Sequence, residues 1–307
     1  MTKTVRPTHP VLTLAGAESL RHLRNPILWL GTCATIAQAA GRYADGEQPL
    51  SSGWVTGDYE TVFSAWSWLF LATFVIAALT AGRHTEPRPA EVLSVQPTDA
   101  GQRMTAVLLA GIVPTGQAAL AAGATCAVVA RAGGIATGDF PSLRLIPTAA
   151  EAAVAVAIIA VGYTLGVAAA LTISSRPSNV LLGALITFLG VAMYWIWGYP
   201  RSIFGLFAVP LSSTDLGPNP TEDVKEQWAI LHSPADPVYM PHWAGYIRDT
   251  DMTAWHAVYL SGIVLLLSAY AIRRATGRVP RWPAVAGLLL AAGGAIMQIL
   301  TYSGTGN

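Results

Sequence analysis

Beyond Asn25 the chain alternates between long apolar runs and polar connectors. Stretches near 26–41, 61–82, 104–130, 150–173, 179–198, 255–272 and 283–302 hold almost no charge. About 20 apolar residues wound as helix cross the roughly 30 Å hydrocarbon core of a bilayer. Run length and lack of charge therefore read as seven helical crossings. The alternation that closes a transmembrane barrel is missing, and inside lipid every backbone donor and acceptor needs a partner within its own segment. The expected class is all-α, a polytopic transmembrane bundle of six core spans plus a seventh.

The polar intervals have features of their own. Residues 11–24 set Val11, Leu12, Ala15, Leu20 and Leu23 among Glu18, Arg21, His22 and Arg24. That segment is too short to cross and suits a helix lying along the membrane surface. Asn25-Pro26 marks the turn into the first span, because proline suits a first helical turn and disfavours helix in the residue before it. The connector 82–104 holds a short helical stretch, Ala90 to Val95, between Pro89 and Pro97, and a helix start signal at Thr98 or Asp99. Residues 199–254 form the one long extramembrane segment. It opens on the apolar piece RSIFGLFAVPL, interfacial or re-entrant by its length, and continues as a polar loop. Within the spans, Pro114 between Gly111 and Gly116 predicts a kink. Gly162 and Gly166 offer close helix approach, either inside one protomer or at a seam between two.

Composition and charge add a solvent and a direction. The chain is 53% hydrophobic and 11% charged, whereas soluble domains average about 25% charged. Of 18 Lys and Arg, twelve fall in the segments 1–25, 83–103, 174–178 and 273–282. Short basic loops stay in the cytoplasm, so the N-terminus is expected there, and a seventh span would leave the C-terminus outside. Thirteen of the 17 acidic residues then lie outside. Phe63, Trp66 and Trp68, with Tyr194, Trp195, Trp197 and Tyr199, are expected to ring the outer interface. The first 25 residues lack an apolar run ahead of a small-residue cleavage site, so no removable signal peptide is read. Cys33 and Cys126 fall in different spans, too far apart to bridge.

The candidate chemistry is sparse. A phosphate-binding loop needs a lysine after its glycines, and Lys3 and Lys225 have no glycine before them. An ion-driven carrier needs a titratable group near mid-membrane, whereas Glu151 and His256 are expected at outer ends. His232, Asp236, His242, Asp249, Asp251 and His256 match no compact zinc spacing. No G-x-S-x-G elbow occurs. Accordingly no catalytic, cofactor-binding or metal-ligating residue is assigned.

LRHLRNP at 20–26, EVLSVQPTDAGQRMTAVLLAG at 91–111 and WHAVYLSGIVLLLSAYAIRR at 255–274 together resemble the membrane subunits of type-2 ABC exporters, those of actinobacteria above all. The resemblance covers about residues 10–275. It implies an exporter-like transmembrane domain over 1–275, with 276–307 as an additional C-terminal helix. It implies an interfacial elbow helix at 11–24 carrying Glu18, Arg21 and Arg24. It also implies a cytoplasmic coupling loop at 83–103 carrying Glu86, Arg88, Glu91, Leu93 and Arg103. Such a chain is a bacterial cell-membrane permease, not itself an enzyme. It binds no cofactor, takes ATP hydrolysis from a separate ATPase subunit, and pairs with a second permease protomer, identical or not, to export a substrate. The 199–254 segment is longer and more polar than the family pattern, and the seventh span exceeds the usual six. The rival reading is a membrane-embedded enzyme or accessory protein acting on lipid or cell-wall intermediates through residues 199–254.

Overall fold

Helices occupy all seven apolar stretches. A computed structural model describes residues 10–44, 65–85, 98–131, 133–137, 140–197, 205–207, 211–217, 243–248 and 250–304. A surface helix α1 (Pro10–Leu23) leads into α2 (Pro26–Ala44), followed by α3 (Trp66–Thr85), α4 (Ala100–Ala110) and α5 (Ile112–Arg131). Then come α6 (Ala149–Ala170), α7 (Arg176–Trp197), α8 (Thr250–Thr276) and α9 (Arg281–Gly304). Local chemistry sets the starts. The Asn25 side chain accepts from Ile27 N–H at 3.0 Å, with Pro26 in the first turn of α2. Asp99 caps α4 through a reciprocal box with Gln102. Thr148 and Glu151 cap α6 in the same way.

Among the described residues, five helical stretches are long and apolar enough to cross a membrane: Trp66–His84, Ala100–Arg131, Ala149–Ala170, Thr250–Thr276 and Arg281–Thr301. The other two of the seven expected crossings fall outside this set. α2 is not among the five, and the described apolar part of α7, Arg176–Ala192, is shorter. The additional C-terminal helix, by contrast, is one of the five.

Successive helices run in alternating directions, as contacts at their ends record. Thr35 on α2 donates to the Ala65 carbonyl at the start of α3, and Arg83 at the end of α3 reaches Glu18 on α1. Arg274 near the end of α8 donates to Leu171 just past α6, while Gln298 near the end of α9 meets His256 near the start of α8. A helix apolar on every side belongs at the centre of a bundle. α6 is that helix, packed by α3, α5, α7 and α8, with 72% of its apolar stretch buried against 28% in α8 and 22% in α9. Gly162 lies on the Phe70 ring and Gly166 on the Phe74 backbone, so this small-residue pair seats α3 within one chain.

Three further features define the bundle. First, the Ala100–Arg131 run is broken at Gly111, three residues before Pro114, where the kink was expected. Second, α8 and α9 touch backbone to backbone: a methyl at Gly294 would fall 2.6 Å from the Tyr259 nitrogen, and one at Gly262 would strike Ala291. Gly277, at φ 72°, turns the chain between them, a conformation glycine adopts without a Cβ clash. Third, Phe207 from the long connector is buried against Phe70, ring centroids 5.2 Å apart, and rests on Gly190 of α7. The apolar start of that connector thus enters the bundle.

The class is all-α as expected, with two short antiparallel ribbons in the connectors, β1 (Ile135–Thr137) with β2 (Phe140–Leu145), and β3 (Leu211–Gly217) with β4 (Trp243–Arg248). The second pairs the flanks of the long polar segment, Leu211 opposite Arg248. Trp66, expected at the interface, is 2% exposed and sits in the core, whereas Trp68 is exposed and donates to Gln38 at 2.6 Å. The expected short helix at Ala90–Val95, Phe63, and the side chains of Tyr194, Trp195, Trp197 and Tyr199 lie outside the described residues.

Candidate functional site

The densest polar cluster forms where α1 meets the bundle. On α1, Val11, Ala15, Glu18 and His22 recur at spacings of four, three and four, which line up as one stripe of a helix. That stripe is the buried face, with Val11 and Ala15 packed on Ala106 of α4. Leu12, Leu20 and Leu23, the most apolar residues of the segment, are exposed instead. α1 is a helix as expected, and its inner face carries a carboxylate and an imidazole beside Val11 and Ala15.

Glu18 is 2% exposed. A buried carboxylate stays charged only if it is paired and hydrogen-bonded. Arg21 reaches Oε1 at 2.6 Å, Arg83 reaches Oε2 at 3.3 Å, and His84 Nε2 lies 4.0 Å from Oε1. Arg83 also donates to Thr80 Oγ1 at 3.1 Å, which fixes it on the last turn of α3. Glu18 thereby ties α1 to the residues just ahead of the 86–97 connector.

His22 makes the second attachment. Tyr163, at the middle of α6, donates its hydroxyl proton to the Val107 carbonyl at 2.6 Å. A phenol has one proton to give. Contact between His22 Nε2 and the Tyr163 oxygen at 3.0 Å therefore has the imidazole as donor, with the proton on Nε2. Burial lowers the His22 pKa from 6.5 to about 4, partly countered by Glu18 and reinforced by Arg83, so the ring is neutral at physiological pH.

The opposite end of the bundle is simpler. The Glu151 carboxylate is buried and occupied by Thr148, accepting from both its backbone N–H and its hydroxyl. His256, also buried, donates through Nδ1 to Gln298 Oε1 at 3.0 Å and joins α8 to α9. Between α5, α6 and α8 an open-sided cavity of about 580 Å³ is lined by alanines with Thr115, Val156, Ser261, Val264 and Leu265. Thr115 and Ser261 spend their hydroxyls on their own helices, at Gly111 and Ala257. The wall is thus suited to hydrocarbon and presents no free polar handle. Among the described residues no group of three His, Cys, Asp or Glu converges as a metal site would require.

Of the residues implied by resemblance, Glu18 and Arg21 meet in the ionic cluster, while Arg24 is exposed in the turn just past α1. Arg103 donates to the Thr98 carbonyl at 2.6 Å beside the Asp99 cap. Glu86, Arg88, Glu91 and Leu93 lie outside the described residues. Sequence reading missed His22, Arg83 and Tyr163 as partners. The stripe spacing through Val11, Ala15, Glu18 and His22 carried a signal for His22; Tyr163 lies 141 positions away from it and carried none. Family models give no match to this chain, and neither do curated proteins.

Proposed function

We propose that this chain is the permease subunit of a type-2 ABC exporter, with ATP hydrolysis supplied by a separate subunit. The observation that carries the reading is the Glu18–Arg83 pair. A helix too short to cross is held to the last turn of a long apolar helix, next in sequence to the segment read as the coupling loop. A push on that loop would reach α1 and α3 together. In this reading the α1 end faces the cytoplasm, because Arg21, Arg83, Arg103, Arg176, Arg274 and Arg281 gather at that end and basic residues favour the inner side. Seven crossings follow if α2 and α7 also traverse the bilayer, and the alternating helix directions support that count. The lack of a phosphate-binding loop agrees with a split design in which nucleotide binds a partner, and a second permease protomer would complete the translocation path.

Coexpression of the chain with the products of its neighbouring genes tests the proposal. The expected result is copurification of an ATPase subunit, lost on Glu91→Arg together with transport. A chain that purifies alone and keeps its activity without any ATPase would overturn it.

A further inference from the structure

The 32-residue apolar run Ala100–Arg131 has no need, on length or apolarity, to break where it does. At Gly111 the backbone N–H donates three residues back, to Leu108 at 3.1 Å. The Val107 carbonyl is thereby released from its usual partner four residues on, and the Tyr163 hydroxyl takes it at 2.6 Å. Pro114 brings no N–H for the Ala110 carbonyl. Gly111 itself admits the Tyr163 ring, since a methyl there would fall 2.7 Å from Cδ1. Such a break has an identifiable cause, a side chain inserted into the helical ladder.

The inserted hydroxyl is held from two sides. One is the Val107 carbonyl; the other is His22, whose ring meets Tyr163 edge-on at 5.6 Å between centroids. On the far side of the break, Thr115 donates both its backbone N–H and its hydroxyl to the Gly111 carbonyl, at 3.2 and 2.6 Å. Thr115 also lines the alanine-walled cavity with Ala119 and Ala122 of α5. A continuous set of contacts thus runs from the surface helix, through one phenol, to the wall of the cavity.

We propose that α1 is a latch on a hinge at Gly111, so that docking of His22 on Tyr163 and the bend between α4 and α5 form one two-state unit. With α1 docked, the phenol is oriented onto Val107, the bend is held, and the α5 wall of the cavity has one position. With α1 lifted, the phenol loses its imidazole partner, the Val107 carbonyl is free to rejoin the helical ladder, and Thr115, Ala119 and Ala122 swing. The latch needs no assumption about what the bundle carries.

Spin labels at exposed Ala100 and Ala127, placed in the full chain after Cys33→Ser and Cys126→Ser, read the bend directly as a distance in lipid nanodiscs. The otherwise unaltered chain should give a single narrow distance. Both His22→Ala and Tyr163→Phe should add the same second distance, displaced by a few ångströms. His22→Gln, whose amide N–H can still donate to the phenol, should restore the single one. If Tyr163→Phe does not fold, the His22→Ala and His22→Gln pair decides alone. A folded His22→Ala protein with the original distance distribution, or with one unlike that of Tyr163→Phe, would overturn the latch.

Discussion

At the scale of single residues, polar groups inside an apolar bundle make the sharpest predictions. Glu18 is buried among partners that are themselves half open: the Arg21 side chain is 59% exposed and that of Arg83 41%. Removing the carboxylate leaves cations that water can still reach, but it opens the buried ionic anchor of α1. Glu18→Ala should therefore cost about 1–3 kcal/mol, the loss of charge-assisted hydrogen bonds whose cations water can still reach, and Arg21→Ala under about 1 kcal/mol, read from denaturant unfolding in micelles. Equal losses would mean that burial of Glu18 carries no special weight. In α5, both amide atoms of Gln117 are buried and lack a partner among the described residues. Gln117→Leu should raise stability by about 1–3 kcal/mol, since an apolar group of similar shape removes an uncompensated desolvation cost. His22 gives the pH dependence. It faces Glu18 on its own helix, Arg83 from α3 and Tyr163 from α6. Its pKa is lower folded than unfolded, so the unfolded chain binds more protons between the two values. Its share of stability is complete above 6.5 and is lost as pH falls from there through about 4. An unfolding series from pH 7.5 to 4.5 should show this slope in the parent chain and a weaker one in His22→Gln.

At the scale of elements, legibility depended on whether the signal was local. Asn25-Pro26 and Asp99 stand where helices start, and the kink expected near Pro114 appears at Gly111. Each is settled by a few neighbouring residues. Trp66 was misplaced because an aromatic at a span end looks alike in sequence whether it turns to lipid or to core; its neighbours Ala65, Leu69 and Phe70 enclose it here. The β3–β4 ribbon was missed because its strands are separated by 25 residues and LSSTDLG shows no clear alternation. For Gly162 and Gly166 the sequence left two seats open, and Phe70 and Phe74 of α3 fill one of them. Close contact between α8 and α9 gives a test at this scale. Gly294→Val places branched carbon against the Tyr259 backbone and should destabilise by about 1–3 kcal/mol. At Gly293, where a methyl meets nothing within 4 Å, Gly→Ala should be near neutral in the same assay.

For the whole molecule, an apolar bundle with alternating helix directions was legible from composition and run length alone, since both report on the solvent that each helix meets. The number of crossings was less so. α2 and α7 read as spans on the same footing as the others, yet among the described residues five other stretches reach the length and apolarity required, and the C-terminal helix is one of them. Accessibility of a tag at Asn307 decides the parity of the count: an outside tag with an inside N-terminus is expected for seven crossings, and a tag on the same side as the N-terminus would remove one.

The glycine contacts of α8 and α9 also bear on how the protein is made. Gly262, Gly287 and Gly294 let the two backbones meet with almost no side-chain fitting, across a connection of only four residues, 277–280. Such a pair can enter the bilayer as one hairpin, assembled before it finds α6. A chain terminated at Gly277 would then expose the groove around Gly262 to lipid, and quality-control proteolysis should shorten the lifetime of that truncated product well before any loss of its other helices.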